Sequence, residues 1–378
     1  MSKSTPVGGK IFTGAFAVAF LFALIGGWFL VQRFVQGIGA VTGLSDGFPW
    51  GLWITFDVVV GTALGCGGFA MAILVYILNK GDYHPLVRSA VMTSLFGYAL
   101  AGASIFIDIG RYWNMHHTLL PQYWNTSSVL LEVAVCIALY VAVLWIEFTP
   151  VFLEKGGGPQ AAKGINRVMF IFIALGVLLP TMHQSSLGTL MVISGHKLSP
   201  LWQTGFLPLL FLVTAVTMGY AVTVFESILS SLLFGRPLEM KIISRLSALI
   251  PGLLVVFLIV RFGDLVARGA LGEAFGGGWK MAMFWVENLL YLVPVVLLAS
   301  RGGRQKAGTV CLAAFSMLLA GAVYRFNTFL VGFSPAPGWQ YFPTAPEIFI
   351  TLGIISVEIM AYLIFVRVLP VLPEPEHA

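Results

Sequence analysis

Charged residues are scarce in this sequence, and their scarcity decides the class of protein. Asp, Glu, Lys and Arg make up 10% of the 378 residues, whereas 58% are hydrophobic. Soluble domains carry about 25% charged residues, so an ordinary soluble fold is excluded. The alternation of apolar and polar positions that marks a membrane β-barrel is also lacking. The sequence therefore predicts an all-α polytopic membrane protein.

Cysteine and histidine are sparse as well. Cys66, Cys136 and Cys311 stand far apart in apolar runs, which excludes an iron–sulfur cluster or a disulfide framework and predicts core packing. Of six histidines, we place only His183 deep within a span, whereas a membrane b-type haem needs two facing axial histidines. We therefore expect neither haem nor another metal site. Basic residues form no dense tract, so nucleic-acid binding is not expected.

About ten apolar runs are long enough to cross a bilayer, whose hydrocarbon core needs roughly 20 residues per helix. We expect one integral membrane domain over residues 1–378. Its predicted spans are 11–33, 50–79, 86–114, 125–154, 163–194, 202–234, 245–268, 279–300, 306–333 and 346–370. Similar polar residues recur four spans apart, which predicts two four-helix bundles, spans 2–5 (50–194) and spans 6–9 (202–333), with a flanking helix at each end.

Basic residues concentrate before the first span and in alternate loops. The positive-inside rule therefore predicts that both termini lie in the cytoplasm. The first span has no small-residue cleavage site after it and is expected to remain as an uncleaved anchor. The protein is accordingly expected in the bacterial inner membrane.

The run IFIDIGRYWN, residues 105–114, carries the first candidate site. Asp108 and Arg111 stand three residues apart, which on a helix places them on one face as an ion pair. Each costs about 2.5–3.5 kcal/mol at the centre of a bilayer, so such groups are kept for a task or a partner. A salt bridge that only locks two helices is the alternative.

Further ionisable residues share the same predicted depth near the outer face. Asp57, Glu132 and His183 lie there with Asp108 and Arg111, and a second set comprises Arg261, Asp264, Glu287 and Arg325. Such a cluster suits a quinone, whose carbonyls need hydrogen-bond donors and whose reduction consumes two protons. Simple hydrogen bonds from Asp57 and His183 to neighbouring helices are the alternative.

Three glutamates lie nearer the inner side. Glu147, Glu226 and Glu358 are candidates for a proton route from the cytoplasm. Glu147 and Glu226 stand close to the ends of their spans, where snorkelling or loop pairing is an alternative.

The motifs FPWGLWITFD, YHPLVRSA, IDIGRYWN, LLPTMHQSSLGTLM, SPLWQ, VRFGD and YFPTAPE, taken in order, resemble the NrfD/PsrC superfamily of quinone-interacting membrane subunits. Their spacing is most similar to HybB-type subunits of periplasm-facing uptake nickel–iron hydrogenases. The resemblance implies a haem-free chain that binds menaquinone or ubiquinone near the periplasm. It also implies partners: a ferredoxin-like iron–sulfur subunit and the small and large hydrogenase subunits. The family site carries over onto Asp57, Asp108, Arg111 and His183, with Glu132 nearby.

Our hypothesis is that His183 and Asp57 hold the quinone, with Gln184, Tyr112 and Trp50 around it. Arg111 stabilises negative charge and orients Asp108. The candidate proton-carrying residues are Glu132, Glu147, Glu226, Glu287 and Glu358.

No catalysis is expected from the isolated chain. Three alternatives remain open at this point: a membrane subunit with another electron donor, such as a molybdenum enzyme or a multihaem cytochrome, a secondary transporter, or a pure membrane anchor.

Overall fold

The computed structural model describes residues 4–156 and 159–373, so the remaining residues of the predicted domain lie outside the described part. Within it, ten helices are long and apolar enough to cross a membrane, which confirms the predicted fold class. They are α1 Gly14–Gln36, α2 Trp53–Ile77, α3 Gly81–Asp108, α4 Val129–Gly156, α5 Pro159–Ile193, α6 Leu207–Phe234, α7 Met240–Ala267, α8 Gly278–Ala299, α9 Ala307–Val331 and α10 Ala345–Val368.

Both ends of the described chain lie on one face of the protein. Ser4–Thr5 pairs antiparallel with Leu372–Pro373, and Arg236 in the loop after α6 donates to the carbonyls of Thr5, Pro6 and Pro373. We call this side the terminal face and the other side the opposite face. Because the chain crosses ten times, α2, α4, α6, α8 and α10 all begin at the opposite face.

The spans pack in two neighbouring groups. Helices α2 to α5 contact one another in ring order, as do α6 to α9, and the groups meet where α6 packs on α2 and α5. Helix α1 packs mainly along α10 at the edge. These contacts support the predicted two bundles, but the division into two units stays a prediction.

Small residues allow the closest helix crossings. A Cβ on Gly26 of α1 would stand 2.6 Å from the carbonyl oxygen of Phe349 in α10, and a Cβ on Gly219 of α6 would overlap the carbonyl oxygen of Cys66 in α2. Membrane helices associate through such close packing because lipid offers no hydrophobic driving force between them. The first crossing holds α1 against α10, and the second holds α6 against α2.

Candidate functional site

Buried carboxylates meet at the opposite face, between α1, α2, α3 and α10. Asp57 lies in a π-helical stretch of α2, Trp53–Val60, and its Oδ2 accepts a hydrogen bond of 3.3 Å from the Thr351 hydroxyl of α10. Asp108 is the last residue of α3 and interacts electrostatically with Asp57 and Glu347. We call Asp57, Asp108 and Glu347 the acidic cluster. One oxygen of Asp57 and one of Asp108 are buried without a hydrogen-bond partner.

Glu347 is held by the start of its own helix. Its Oε2 accepts from the backbone N–H of Thr344 at 2.8 Å and of Gly43 at 3.0 Å, and Thr344 caps α10 in return. This capping box satisfies backbone donors that a helix start leaves free. The Tyr341 hydroxyl donates to Glu347 Oε1 at 2.7 Å and accepts from Leu52 N–H at 2.6 Å. The YFPTAPE and FPWGLWITFD motifs are thus joined.

Arg33 of α1 is the cation beside this cluster. It is 1% exposed, and it donates to the carbonyls of Ile107 at 2.6 Å and Ile109 at 2.7 Å. Those carbonyls at the end of α3 have no later helical N–H to accept from. The predicted Asp108–Arg111 ion pair is wrong, because α3 ends at Asp108 and Arg111 lies exposed in the loop. Helical spacing therefore does not apply to that pair.

Two glutamates continue from the acidic cluster towards the terminal face. Glu358, in the middle of α10, interacts electrostatically with both Asp57 and Glu226. Glu226 of α6 accepts hydrogen bonds from Tyr362 at 2.9 Å and Thr93 at 3.0 Å. We call Asp108, Asp57, Glu358 and Glu226 the carboxylate column, since its members follow one another from the opposite face into the terminal half.

A second polar cluster lies where α2 meets α5, α6 and α9. Thr62 donates to the Val58 carbonyl at 2.6 Å, so its oxygen accepts from Gln184 at 3.1 Å and from His183 Nε2 at 3.0 Å. Gln184 Oε1 in turn accepts from Arg325 at 3.2 Å. We call Thr62, His183, Gln184 and Arg325 the arginine cluster. Arg325 is fully buried and also contacts Thr214 and the Met218 sulfur.

The prediction that His183 shares one pocket with Asp57 and Asp108 is wrong. Asp57 faces α10, whereas Thr62, the α2 residue that His183 contacts, faces α5. Asp57 and Thr62 both lie on α2, but the π-helical turns at Trp53–Val60 change the angle between successive side chains, so the two residues face different helices. The acidic cluster and the arginine cluster are therefore separate surroundings.

The second bundle holds a buried ion pair. Arg261 and Glu287 stand 2.8 Å apart, and the carboxylate also accepts from Trp202 at 2.9 Å and Asn327 at 2.8 Å. The grouping of Arg261 with Asp264 does not hold, because Asp264 instead pairs with Arg268 at 2.7 Å. Glu287 is thus held in a buried ion pair and lies outside the carboxylate column.

The other predicted residues lie apart from Asp57 and Asp108. Trp50 donates to the Phe329 carbonyl of α9 at 2.9 Å, and Tyr112 packs edge-on against Phe34. Glu132 is exposed in the first turn of α4. Glu147 lines a cavity of about 370 Å³ at the terminal face, with one buried oxygen unpartnered. Glu132 and Glu147 therefore do not join the carboxylate column.

Sequence reasoning missed several residues of both clusters. These are Arg33, Tyr341, Glu347, Thr351 and Thr62, whose partners come from distant parts of the chain or, for Thr62, from other helices. One signal was available: Thr344 followed three residues later by Glu347 is the pattern of a capping box.

Comparison with known proteins identifies the family. The family model described as "Polysulphide reductase, NrfD" matches residues 40–336. The chain belongs to the NrfD family. Members of this family are quinone-reactive membrane subunits.

Two named relatives cover nearly the whole chain. One is a "Probable Ni/Fe-hydrogenase 2 b-type cytochrome subunit" of Escherichia coli, 45% identical over 97% of this chain and 95% of the relative. The other is a "Menaquinone reductase, integral membrane subunit" of Nitratidesulfovibrio vulgaris, 31% identical over 94% of this chain and 91% of the relative. Similarity therefore extends through all ten spans of the NrfD chain.

The Escherichia coli relative is named as a b-type cytochrome subunit, and this name does not agree with the expected absence of haem. The side chains present do not fit a membrane haem. Among the described residues His183 is the one histidine inside the apolar part of a span, and its ring is enclosed by Thr62 and by Tyr98 at 5.7 Å. No group of three or more His, Cys, Asp or Glu side chains in the described ranges is placed to hold a metal ion.

Replacing Arg33 with Met is expected to destabilise the protein, whereas Arg111→Met serves as the matched control. Loss of Arg33 leaves two carbonyls at the end of α3 without their donor, which costs about 1–3 kcal/mol. The exposed Arg111 has no partner in the described structure, so its replacement changes stability by less than about 0.5 kcal/mol. Thermal unfolding in detergent measures both, and equal effects would contradict the role given to Arg33.

Proposed function

We propose that this NrfD chain is the quinone-reactive membrane subunit of a respiratory hydrogenase. In this proposal electrons from hydrogen pass through an iron–sulfur subunit to menaquinone or ubiquinone. The hydrogenase assignment rests on the Escherichia coli relative at 45% identity, and the quinone assignment is supported by the menaquinone reductase subunit. The named relatives also include a selenate reductase subunit, 23% identical, which is why the donor needs its own test.

The observation that carries the proposal is the pair of unpartnered carboxylate oxygens in the acidic cluster. A buried polar atom without a partner is costly, so such atoms mark places where a ligand or water completes the bonding. Asp57 and Asp108 are suited to hydrogen-bond a quinol hydroxyl and to pass protons to a reduced ring. Arg33 donates to backbone carbonyls beside these carboxylates. Its positive charge stabilises the negative charge that develops on the quinone ring during reduction.

The arginine cluster has a positioning role in this proposal. The oxygen of Thr62 accepts from both His183 and Gln184, and the Thr62 hydrogen goes to Val58. These bonds fix α2 against α5, and thereby fix the rotation of the helix that carries Asp57. In this proposal His183 acts through Thr62 and does not itself bind the quinone.

Protons are proposed to move along the carboxylate column. Asp108, Asp57, Glu358 and Glu226 come from four different helices, and consecutive members interact electrostatically. Intramembrane carboxylates in series are the usual elements of proton relays. The hydroxyls of Thr351, Tyr362 and Thr93 bond to members of the column and provide further proton-carrying groups.

The orientation of the subunit follows from charge. Exposed basic residues of the terminal face include Lys80, Lys241, Arg245 and Arg301. We propose from the positive-inside rule that this face is cytoplasmic, that the opposite face is periplasmic in a bacterial inner membrane, and that the iron–sulfur subunit binds there. The acidic cluster then lies on the side from which electrons arrive.

We also propose that the subunit contains no haem, since His183 has no facing axial partner in the described structure. The absorption spectrum of the purified, dithionite-reduced protein tests this. We expect no b-type α-band, and a stoichiometric band would overturn the assignment while leaving the family unchanged.

Asp57→Asn tests the quinone site in membranes that retain the assembled complex. An amide cannot exchange the proton, so hydrogen-dependent quinone reduction should fall by about 10²-fold. Hydrogen oxidation with a soluble artificial acceptor should stay at the wild-type rate, since those electrons leave before this subunit. Quinone reduction near the wild-type rate would refute the acidic cluster, and loss confined to His183→Ala would place the head group at the arginine cluster.

Glu358→Gln tests the proton route in proteoliposomes that contain the whole complex. Its amide interrupts the carboxylate column in the middle of the membrane, so proton movement across the membrane should be lost. Most quinone reduction should be kept, because Asp108 still delivers the two protons from the opposite face. Glu132→Gln, at an exposed position, is the control and should retain both activities. A pH-sensitive dye reports proton movement, and an unchanged signal for Glu358→Gln would exclude this column.

A further inference from the structure

Four cationic side chains surround one cavity at the terminal face of the second bundle. Lys241, Arg245, Arg301 and Arg304 line a space of about 580 Å³, together with Met240, Ser244, Ala248 and Gln305. No carboxylate is among these lining residues. The cavity is remote from the acidic cluster, which lies at the other face of the membrane.

The start of α7 supplies one wall of this cavity. Its first segment, Met240–Ser247, is amphipathic: Ile243 and Leu246 are buried, whereas Lys241 and Arg245 are exposed. Because this segment begins the span, its basic residues lie at the level of the headgroups. Arg245 pairs with Asp82 at 3.2 Å, but both side chains are largely exposed, so this ion pair contributes little stability.

The connection between α8 and α9 supplies the other wall. Arg304 donates to the Ala299 carbonyl at 3.0 Å, which fixes the short helix Arg301–Arg304 at the end of α8. Arg301 and Lys241 are exposed, and neither has a partner in the described structure. One guanidinium group and one ammonium group without partners, together with the weakly paired Arg245, are therefore available around a space that fits a phosphodiester.

The two helices on either side of the α8–α9 connection expose aliphatic side chains within about two turns of it. Val296 in the last turn of α8 is 63% exposed, and Leu312 near the start of α9 is 56% exposed. Cationic groups at headgroup level above exposed aliphatic side chains match a molecule with an anionic head and acyl chains. A free anion in water would gain nothing from the apolar part.

We propose that this cavity is a binding site for an anionic phospholipid, whose phosphate contacts Lys241, Arg245, Arg301 and Arg304. The lipid joins the start of α7 to the α8–α9 connection and so holds the outer edge of the second bundle. This site is independent of the quinone and proton chemistry proposed above.

Native mass spectrometry of the full chain tests the proposal. Wild-type protein in detergent is titrated with cardiolipin, with phosphatidylglycerol and with zwitterionic phosphatidylcholine. The test variant is Lys241→Gln with Arg301→Gln, and the control is Lys197→Gln with Lys280→Gln at the opposite face. Each basic residue at a membrane surface adds about fivefold, so affinity of the test variant, which lacks two, for the anionic lipids should fall roughly 30-fold.

The outcomes are distinct. Weakened binding of both anionic lipids in the test variant, with phosphatidylcholine and the control unchanged, supports the site. Equal loss in test and control variants, or no loss in either, overturns it. Displacement of the lipid by millimolar inorganic phosphate would show a free-anion site instead. Because Lys241 is exposed and unpartnered, Lys241→Gln alone provides a well-folded check, with an expected loss of about fivefold.

Discussion

Three buried arginines govern how the helices of this protein fit together. Arg33, Arg261 and Arg325 are each at most 3% exposed, so their charges must be satisfied by other protein groups. An isolated charge in an apolar medium is far too costly to keep. Arg33 uses carbonyls at the end of α3, Arg261 uses Glu287, and Arg325 uses an amide, a hydroxyl, a sulfur and carbonyls. Arg33 and Arg325 therefore tie together helices that are not consecutive in the chain, and Arg261 joins the neighbouring helices α7 and α8.

The acidic residues follow a different rule. Glu287 pairs with Arg261 and accepts two further hydrogen bonds, whereas Asp57 and Asp108 form no ion pair in the described structure and each keep a buried oxygen without a hydrogen-bond partner. The ion-paired carboxylate holds helices together, whereas the two carboxylates without a cationic partner remain available for chemistry. This distinction separates Glu287 in the second bundle from the region between α1, α2, α3 and α10.

Much of this could be predicted from the sequence because membrane spans are set by length and hydrophobicity alone. The ten spans, the family and the burial of Asp57, His183 and Glu287 all follow from such local properties. The partners of these residues do not. Asp108 lost its predicted partner because α3 ends at that residue, and the cation beside it comes from α1, more than 70 positions earlier. The π-helical turns of α2, which separate Asp57 from Thr62, leave no recognisable pattern in the letters.

The packing of α1 along α10 has a consequence for biosynthesis. The main neighbour of the first span is the last span, which leaves the ribosome only after some three hundred further residues have been made. Until α10 is made, the face of α1 that carries Gly26 contacts lipid and not protein. The strand pairing between the two ends of the chain cannot form before then either. The packing of α1 against α10 is therefore a late step in the assembly of this subunit. A product truncated before α10 lacks that contact.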